Sequence, residues 1–269
     1  MTEGWMIGAS SVIGPAHIRR GLPNQDAAAV RPSGDKPTPV IFGALSDGHG
    51  ASPHFRSDRG SRIAVESAIE LLQWTAESSE DIDIDSLAQT VVESWRKRVD
   101  DDVAQDPYEQ GVAEHYSPYG ATMLGLMADD RQVCLMQLGD GDILLGFPDG
   151  RIERPIAPDT GLWGEQTYSL CLPNAENHLH GWVAHRDWDD ELPDFILAGS
   201  DGVSKSLVSE EAFHDVAAQY RERCRSGAEV FSQTMSALPQ WLENLAANGS
   251  GDDASMILAV KLKPNGTMR

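Results

Sequence analysis

The chain has 269 residues, with 42 Asp plus Glu against 21 Lys plus Arg and a formal charge of −21. That balance repels nucleic acid and anionic membrane surfaces, attracts divalent cations, and also serves solubility. A 41% hydrophobic fraction with 25 Gly and 15 Pro is that of a globular protein, and no apolar run approaches the roughly 20 residues that a bilayer span needs. Three widely spaced cysteines, Cys134, Cys171 and Cys224, argue against a disulfide framework or a thiolate metal site. Met-Thr-Glu-Gly-Trp at the start has neither the basic nor the apolar region of a secretory signal. The expectation is one domain over 1–269, cytoplasmic and monomeric.

Trp5 to Ile13 predicts a first strand, His17 to Asp26 an irregular and partly basic stretch, and Ala27 to Val30 a short strand. A Pro/Gly turn from Pro32 to Pro39 leads into Val40 to Leu45. This run is too short for a typical helix and has no polar face, so it predicts a strand buried on both sides. It ends in Asp47-Gly48-His49-Gly50, a carboxylate and an imidazole set among glycines that let neighbouring backbone approach a ligand or ion closely.

Ser57 to Thr75 places Ile63, Ala64, Ala68, Leu71 and Leu72 at helical spacing. Alternating Asp81, Asp83 and Asp85 suggest a calcium loop, but its sixth and twelfth positions are Ser86 and Val92 where an EF-hand needs Gly and Glu. The stretch instead predicts a helix capped by Asp85 or Ser86 that buries Leu87, Val91, Val92, Trp95 and Val99. From Tyr119 the pattern turns to β, predicting a three-stranded meander through Val133–Leu138 and Ile143–Phe147 around Gly139-Asp140-Gly141. Residues 148–192 are an excursion with one strand near His178 to Ala184. Phe195 to Gly202 repeats the apolar run closed by Asp-Gly, helices follow from Ser209 and over Ala228–Leu245, and Ala254–Val260 closes the chain as a strand. Such an order suggests an α+β sandwich.

Asp47, Asp140, Asp201 and Asp252 all sit beside glycine at strand ends or turns, and Asp26 just precedes an apolar run. Carboxylates gathered at one sheet edge raise each other's pKa and cost stability. Hard divalent cations remove that cost, which implies Mg²⁺ or Mn²⁺.

Asn24-Gln25-Asp26, Ser46-Asp47-Gly48-His49-Gly50, Gly120-Ala121-Thr122, Leu138-Gly139-Asp140, Ser200-Asp201-Gly202 and Gly251-Asp252-Asp253-Ala254-Ser255 follow one another over almost the whole chain. In this order the set resembles the metal-dependent PP2C (PPM) protein phosphatases. The resemblance implies an α+β fold, a four-layer α-β-β-α sandwich of two antiparallel sheets flanked by helices, with the metals at one end. It implies hydrolysis of phosphoserine or phosphothreonine by a water bridging two ions, on phosphoprotein substrates made by an opposing Ser/Thr kinase. By position, Asp47 looks like the metal-bridging carboxylate and Gly48 like the carbonyl donor, with Asp201 and Asp252 as further ligands and Asp26 as the acid of the first motif. Asp140 resembles a ligand of a third, weaker ion, and His49 the general acid, a role suited to a group titrating near neutrality.

The chain departs from that pattern at Gln25, where the family carries Glu, at Gly21, where many members carry a phosphate-binding Arg, and at Gly141, where Ser is usual. Arg19 and Arg20 lie close enough in sequence to supply the phosphate contact. The alternative reading is a catalytically weak pseudophosphatase that binds phosphoproteins or a kinase. A nucleophile elbow at Ala198-Gly-Ser200-Asp-Gly202 fits less well: its first Gly is Ala198, and Val203 onward does not predict a helix. His178 and His180 could share a strand face as metal ligands, but a third partner is missing.

Overall fold

The computed structural model describes residues 4–78, 81–108, 115–159 and 167–262. Met1 to Glu3 and residues 160–166 of the predicted excursion lie outside them. Two five-stranded antiparallel sheets face each other. One is built from β1 (Gly4–Val12), β10 (Ala254–Leu262), β9 (Phe195–Gly199), β6 (Asp142–Gly146) and the short β7 (Ile152–Glu153), in that order. The other runs β2 (Ala27–Arg31), β3 (Ile41–Ser46), β4 (Met123–Ala128), β5 (Gln132–Leu138) and β8 (His180–His185). Helices α2 (Ser57–Glu77) and α3 (Ile84–Gln105) cover the second sheet, and α5 (Glu210–Cys224) and α6 (Ala228–Asn248) cover the first.

The side-chain period of two explains how one strand serves two cores. Along β10, Met256, Leu258 and Val260 face the helices, while Ile257 and Ala259 face the opposite sheet. Along β3, Phe42 and Ala44 face α2, and Ile41 and Leu45 face the sheet interior. Both strands are buried on both faces, hence their unbroken apolar sequence. Cys134 and Cys224 are packing residues of the two outer cores, where burial pushes their thiols up to about 12 and about 11. Among the described residues no helix is long and apolar enough to cross a membrane.

Three sequence expectations are corrected. The stretch from His17 is not irregular: Pro15–Arg20 forms helix α1, opened by Pro in its first turn and closed by Gly21 in the left-handed region (φ 67°). The cap of α3 is Asp83, which accepts from the Asp85 N–H at 3.2 Å and from the Ser86 hydroxyl at 2.5 Å. The meander is broken, because β6 leaves β4 and β5 and pairs with β9 in the other sheet. Gly139, at φ 94°, turns the chain between the layers within the three residues Gly139-Asp140-Gly141. That crossing puts Asp140 at the end of the sandwich where β3 and β9 also finish.

Candidate active site

Strands β3 and β9 deliver Asp47 and Asp201 to the same end of the sandwich, and each is followed by a glycine for the same physical reason. A Cβ on Gly48 would come within 2.6 Å of the Ser57 carbonyl oxygen and 2.7 Å of that of Gln25. A Cβ on Gly202 would lie 1.9 Å from the Asp253 carbonyl oxygen. Only glycine lets these backbones close against one another. The Asp47 loop is fixed by backbone bonds on both sides. Gly48 N–H donates to the Gln25 carbonyl (3.1 Å), His49 N–H to Gly120 (3.0 Å) and Thr122 N–H to Asp47 (2.8 Å), and the Thr122 hydroxyl accepts from Asp47 N–H (3.0 Å). The Gly120-Ala121-Thr122 motif is thus the brace of the Asp47 turn.

These elements enclose a cleft of about 830 Å³. Asp47, Gly48, His49, Asp140, Asp201 and Asp252 line it, together with His17, Arg20 and Lys205. Arg20 reaches it and Arg19 does not line it. Asp26 sits behind the wall with both carboxylate oxygens buried and, among the described residues, without a partner of hydrogen-bonding geometry. Burial raises its pKa to about 8, aided by the charges of Asp253 and Asp201 and only partly offset by the nearby Ser255 and Ser200 hydroxyls. Burial likewise holds Asp47 well above the usual carboxylate range, and Asp26, Asp201 and Asp252 add their repulsion. Carboxylates from four separated segments therefore act on each other, and among the described residues no cation pairs with Asp26 or Asp47. The exception is Lys205, whose amine hydrogen-bonds Asp201 and stands 3.3 Å from Asp140. Burial opposes its charge, but those two acids outweigh it and hold the amine above the usual lysine range.

His49 departs from expectation. Burial first, and the neighbouring His54 second, lower it to about 4 against the pull of Asp140, so the imidazole is neutral at pH 7 in the protein alone. The rings of His49 and His54 meet edge to face with centroids 4.9 Å apart. His178 and His180 are not a ligand pair: the first stacks on Tyr168 and the second contacts Asp159 at 3.0 Å.

The sequence did not single out His17 or Asp253. Asp253, 3% exposed, accepts from Gly14 N–H (2.7 Å), Gln25 N–H (2.6 Å) and His17 Nδ1 (2.9 Å). It ties the start of β10 to α1 and to the first acidic motif. Pro15 and Gly21 signal the helix that carries His17, but its acidic partner lies 236 positions away. Ser200 is buried and its hydroxyl accepts from Ser255 N–H at 3.0 Å. Although the short helix α4 (Asp201–Ser204) does follow it directly, a nucleophile elbow is excluded by that burial and by the antiparallel sheets.

A four-layer α-β-β-α sandwich with a carboxylate-lined cleft at the strand ends defines a PP2C-type phosphatase fold. The protein phosphatase 2C family model matches residues 13–243, and the chain belongs to this family of protein serine/threonine phosphatases. Serine/threonine-protein phosphatase 3 of Escherichia coli K12 is 24% identical over 212 residues, 76% of each chain. The catalytic domain of the phosphatase PstP, solved with 2 manganese ions, superposes with a TM-score of 0.59 at 18% identity, covering 97% of this chain and 100% of that one. RsbX in complex with magnesium gives a TM-score of 0.56 at 15% identity, with 97% of each chain covered.

Proposed function

We propose that this chain hydrolyses phosphoserine and phosphothreonine in proteins, using a pair of divalent cations in the Asp47 cleft, and so reverses the action of a Ser/Thr kinase. The observation that carries the reading is the burial of Asp26 and Asp47, which have no counter-charge among the described residues, beside Asp201 and Asp252. Buried carboxylates without a counter-charge are costly, and hard oxygen donors at one edge suit Mg²⁺ or Mn²⁺. Asp47 would be shared by both ions, with the Gly48 carbonyl, Asp201 and Asp252 as further ligands and Asp26 acting from behind. Bound there, the ions supply an acidified water and neutralise phosphoryl charge.

The remaining groups bind and move protons. Arg20, exposed at the rim of the cleft, would hold a phosphoryl group. His49 would protonate the leaving alkoxide, which requires the incoming phosphate, together with Asp140, to lift the imidazole from its low value. A chain of formal charge −21 favours phosphosites with basic flanks. Purified protein is expected to hydrolyse p-nitrophenyl phosphate and a phosphothreonine peptide with Mg²⁺ or Mn²⁺, to stop in EDTA, and to lose turnover in Asp201→Asn. Folded protein inert with every metal would favour the pseudophosphatase.

In the metal-free chain the Lys205 ammonium serves Asp201 and Asp140; it must release Asp201 for the ion pair to fill, and its contact with Asp140 then disfavours a third ion there. Calorimetric titration with Mn²⁺ is expected to give two sites in the wild type and a third, weaker one at Asp140 in Lys205→Asp. Three sites in the wild type would refute this.

A further inference from the structure

The cleft contains one nitrogen donor that the carboxylate set does not explain. His17 is 6% exposed and lines the cleft from α1. Its Nδ1 lies 2.9 Å from Asp253 Oδ2, and a carboxylate can only accept, so Nδ1 donates and in the neutral ring Nε2 holds the lone pair. Nε2 is 3.6 Å from Asp252 Oδ1. That is long for a hydrogen bond and just beyond the roughly 3.0–3.5 Å that separates two donors about 2.1 Å from one cation, so a small closure lets both reach one ion. The ligand-capable atoms of His17, Asp252 and Asp253 fall within 4.8 Å of one another. Asp253, occupied by three N–H donors, is unsuited to ligation and is the orienting carboxylate instead. A ligating histidine held by a carboxylate on its other nitrogen is the usual arrangement at metal centres.

A second, independent atom lies nearby, in the wall behind Gly50. Gln25 is 7% exposed, and its Nε2 donates to the Ser57 hydroxyl at 2.7 Å, which turns its Oε1 away. That Oε1 is buried and has no hydrogen-bond partner among the described residues. A Cβ placed on Gly50 would be 3.6 Å from Gln25 Oε1 and 3.8 Å from His17 Nε2, so both atoms border the same spot. We propose that His17 Nε2 and Gln25 Oε1 complete, with Asp252 Oδ1, a mixed nitrogen–oxygen site for a divalent cation. This rests on the two-ion reading above and specifies one of its ions. Two of its three donors are neutral and one is an imidazole, whereas Mg²⁺ prefers oxygen and dehydrates reluctantly. The site therefore selects Mn²⁺ over Mg²⁺.

The test is pulsed paramagnetic resonance of Mn²⁺ bound to the full-length, metal-stripped protein. Electron spin-echo modulation from a directly bound ¹⁴N is expected in the wild type, altered by ¹⁵N-histidine labelling and abolished in His17→Gln, with Mn²⁺ bound at least about tenfold more weakly. Gln25→Glu restores a charged oxygen donor and is expected to narrow the Mn²⁺ preference over Mg²⁺. Bound Mn²⁺ without nitrogen modulation, or modulation that survives His17→Gln, would overturn the proposal and leave the two-ion phosphatase intact. Failure to bind Mn²⁺ at all would overturn both. Labelling the wild type with ¹⁵N-histidine keeps the question open to refutation even if a variant does not fold.

Discussion

Asp47→Asn is expected to lower metal-dependent turnover by about 10³-fold while making the metal-free protein more stable. The loss follows from removing the carboxylate proposed to serve both ions: Lewis-acid stabilisation contributes several kcal/mol, and each 1.36 kcal/mol is about tenfold in rate. The gain follows from the crowding. Asp26 is held at about 8 where a free aspartate titrates near 3.8, and Asp47 is displaced in the same direction by burial and its acidic neighbours. Between those limits these two groups hold more protons folded than unfolded, opposed below about pH 6.5 by His49, which is lowered to about 4. The contribution of these groups to stability is thus full below about pH 4 and is lost as the pH rises through about 8. In EDTA the melting temperature is expected to fall between pH 5 and 8 by on the order of 10 °C, at about 2–4 °C per kcal/mol for a domain of this size. Saturating Mn²⁺ should flatten that slope, because cation binding stabilises by mass action and supplies the missing charge. Asp47→Asn should reduce it without metal, leaving the part that buried Asp26 contributes. Thermal melts of the two proteins across pH check this; a metal-free variant less stable than the wild type at pH 8 would contradict it.

How much of this was legible in the chain depended on the range of the interaction. The two-sided burial of β3 was readable because both faces are apolar, and α2 and α3 because Ala64, Ala68, Leu71 and Leu87, Val91, Trp95 recur at helical spacing. The acids at strand ends were readable because Asp-Gly is a local signal that recurs. What failed was either too short or too distant. Helix α1 has only six residues, too few for a period, and its Pro15 and Gly21 punctuation was the one available clue. The passage of β6 into the opposite sheet is a tertiary choice, since a three-residue turn also suits a hairpin. The Lys205 contact with Asp140 and the low pKa of His49 arise from packing among distant segments, which no local pattern records.

The neighbours Asp252 and Asp253 supply the other large effect, and they are expected to fail in opposite ways. Asp252 has a side chain 54% exposed; within the protein its Oδ1 accepts from the Asp253 N–H at 2.9 Å, which an amide oxygen also does. Asp252→Asn should leave the metal-free melting temperature nearly unchanged while weakening Mn²⁺ and abolishing most turnover. Asp253 lines no part of the cleft, yet each of its oxygens is engaged, with Gly14 N–H on one and Gln25 N–H and His17 Nδ1 on the other. In Asn one of those oxygens becomes an NH₂ facing an N–H donor, so at least one buried donor loses its partner and meets a repulsive dipole. A buried unsatisfied group costs about 1–3 kcal/mol, more where the lost bond was to a charge. Asp253→Asn is therefore expected to lower the melting temperature by about 5–10 °C in the presence of EDTA, and Asp253→Ala by more. Turnover should fall too, but through displacement of Gln25 and His17, so part of it should return at high Mn²⁺, whereas that of Asp252→Asn should not. Melts in EDTA and Mn²⁺ titrations of activity separate the two roles. Equal destabilisation by both substitutions would mean that the acidic pair works as one structural unit.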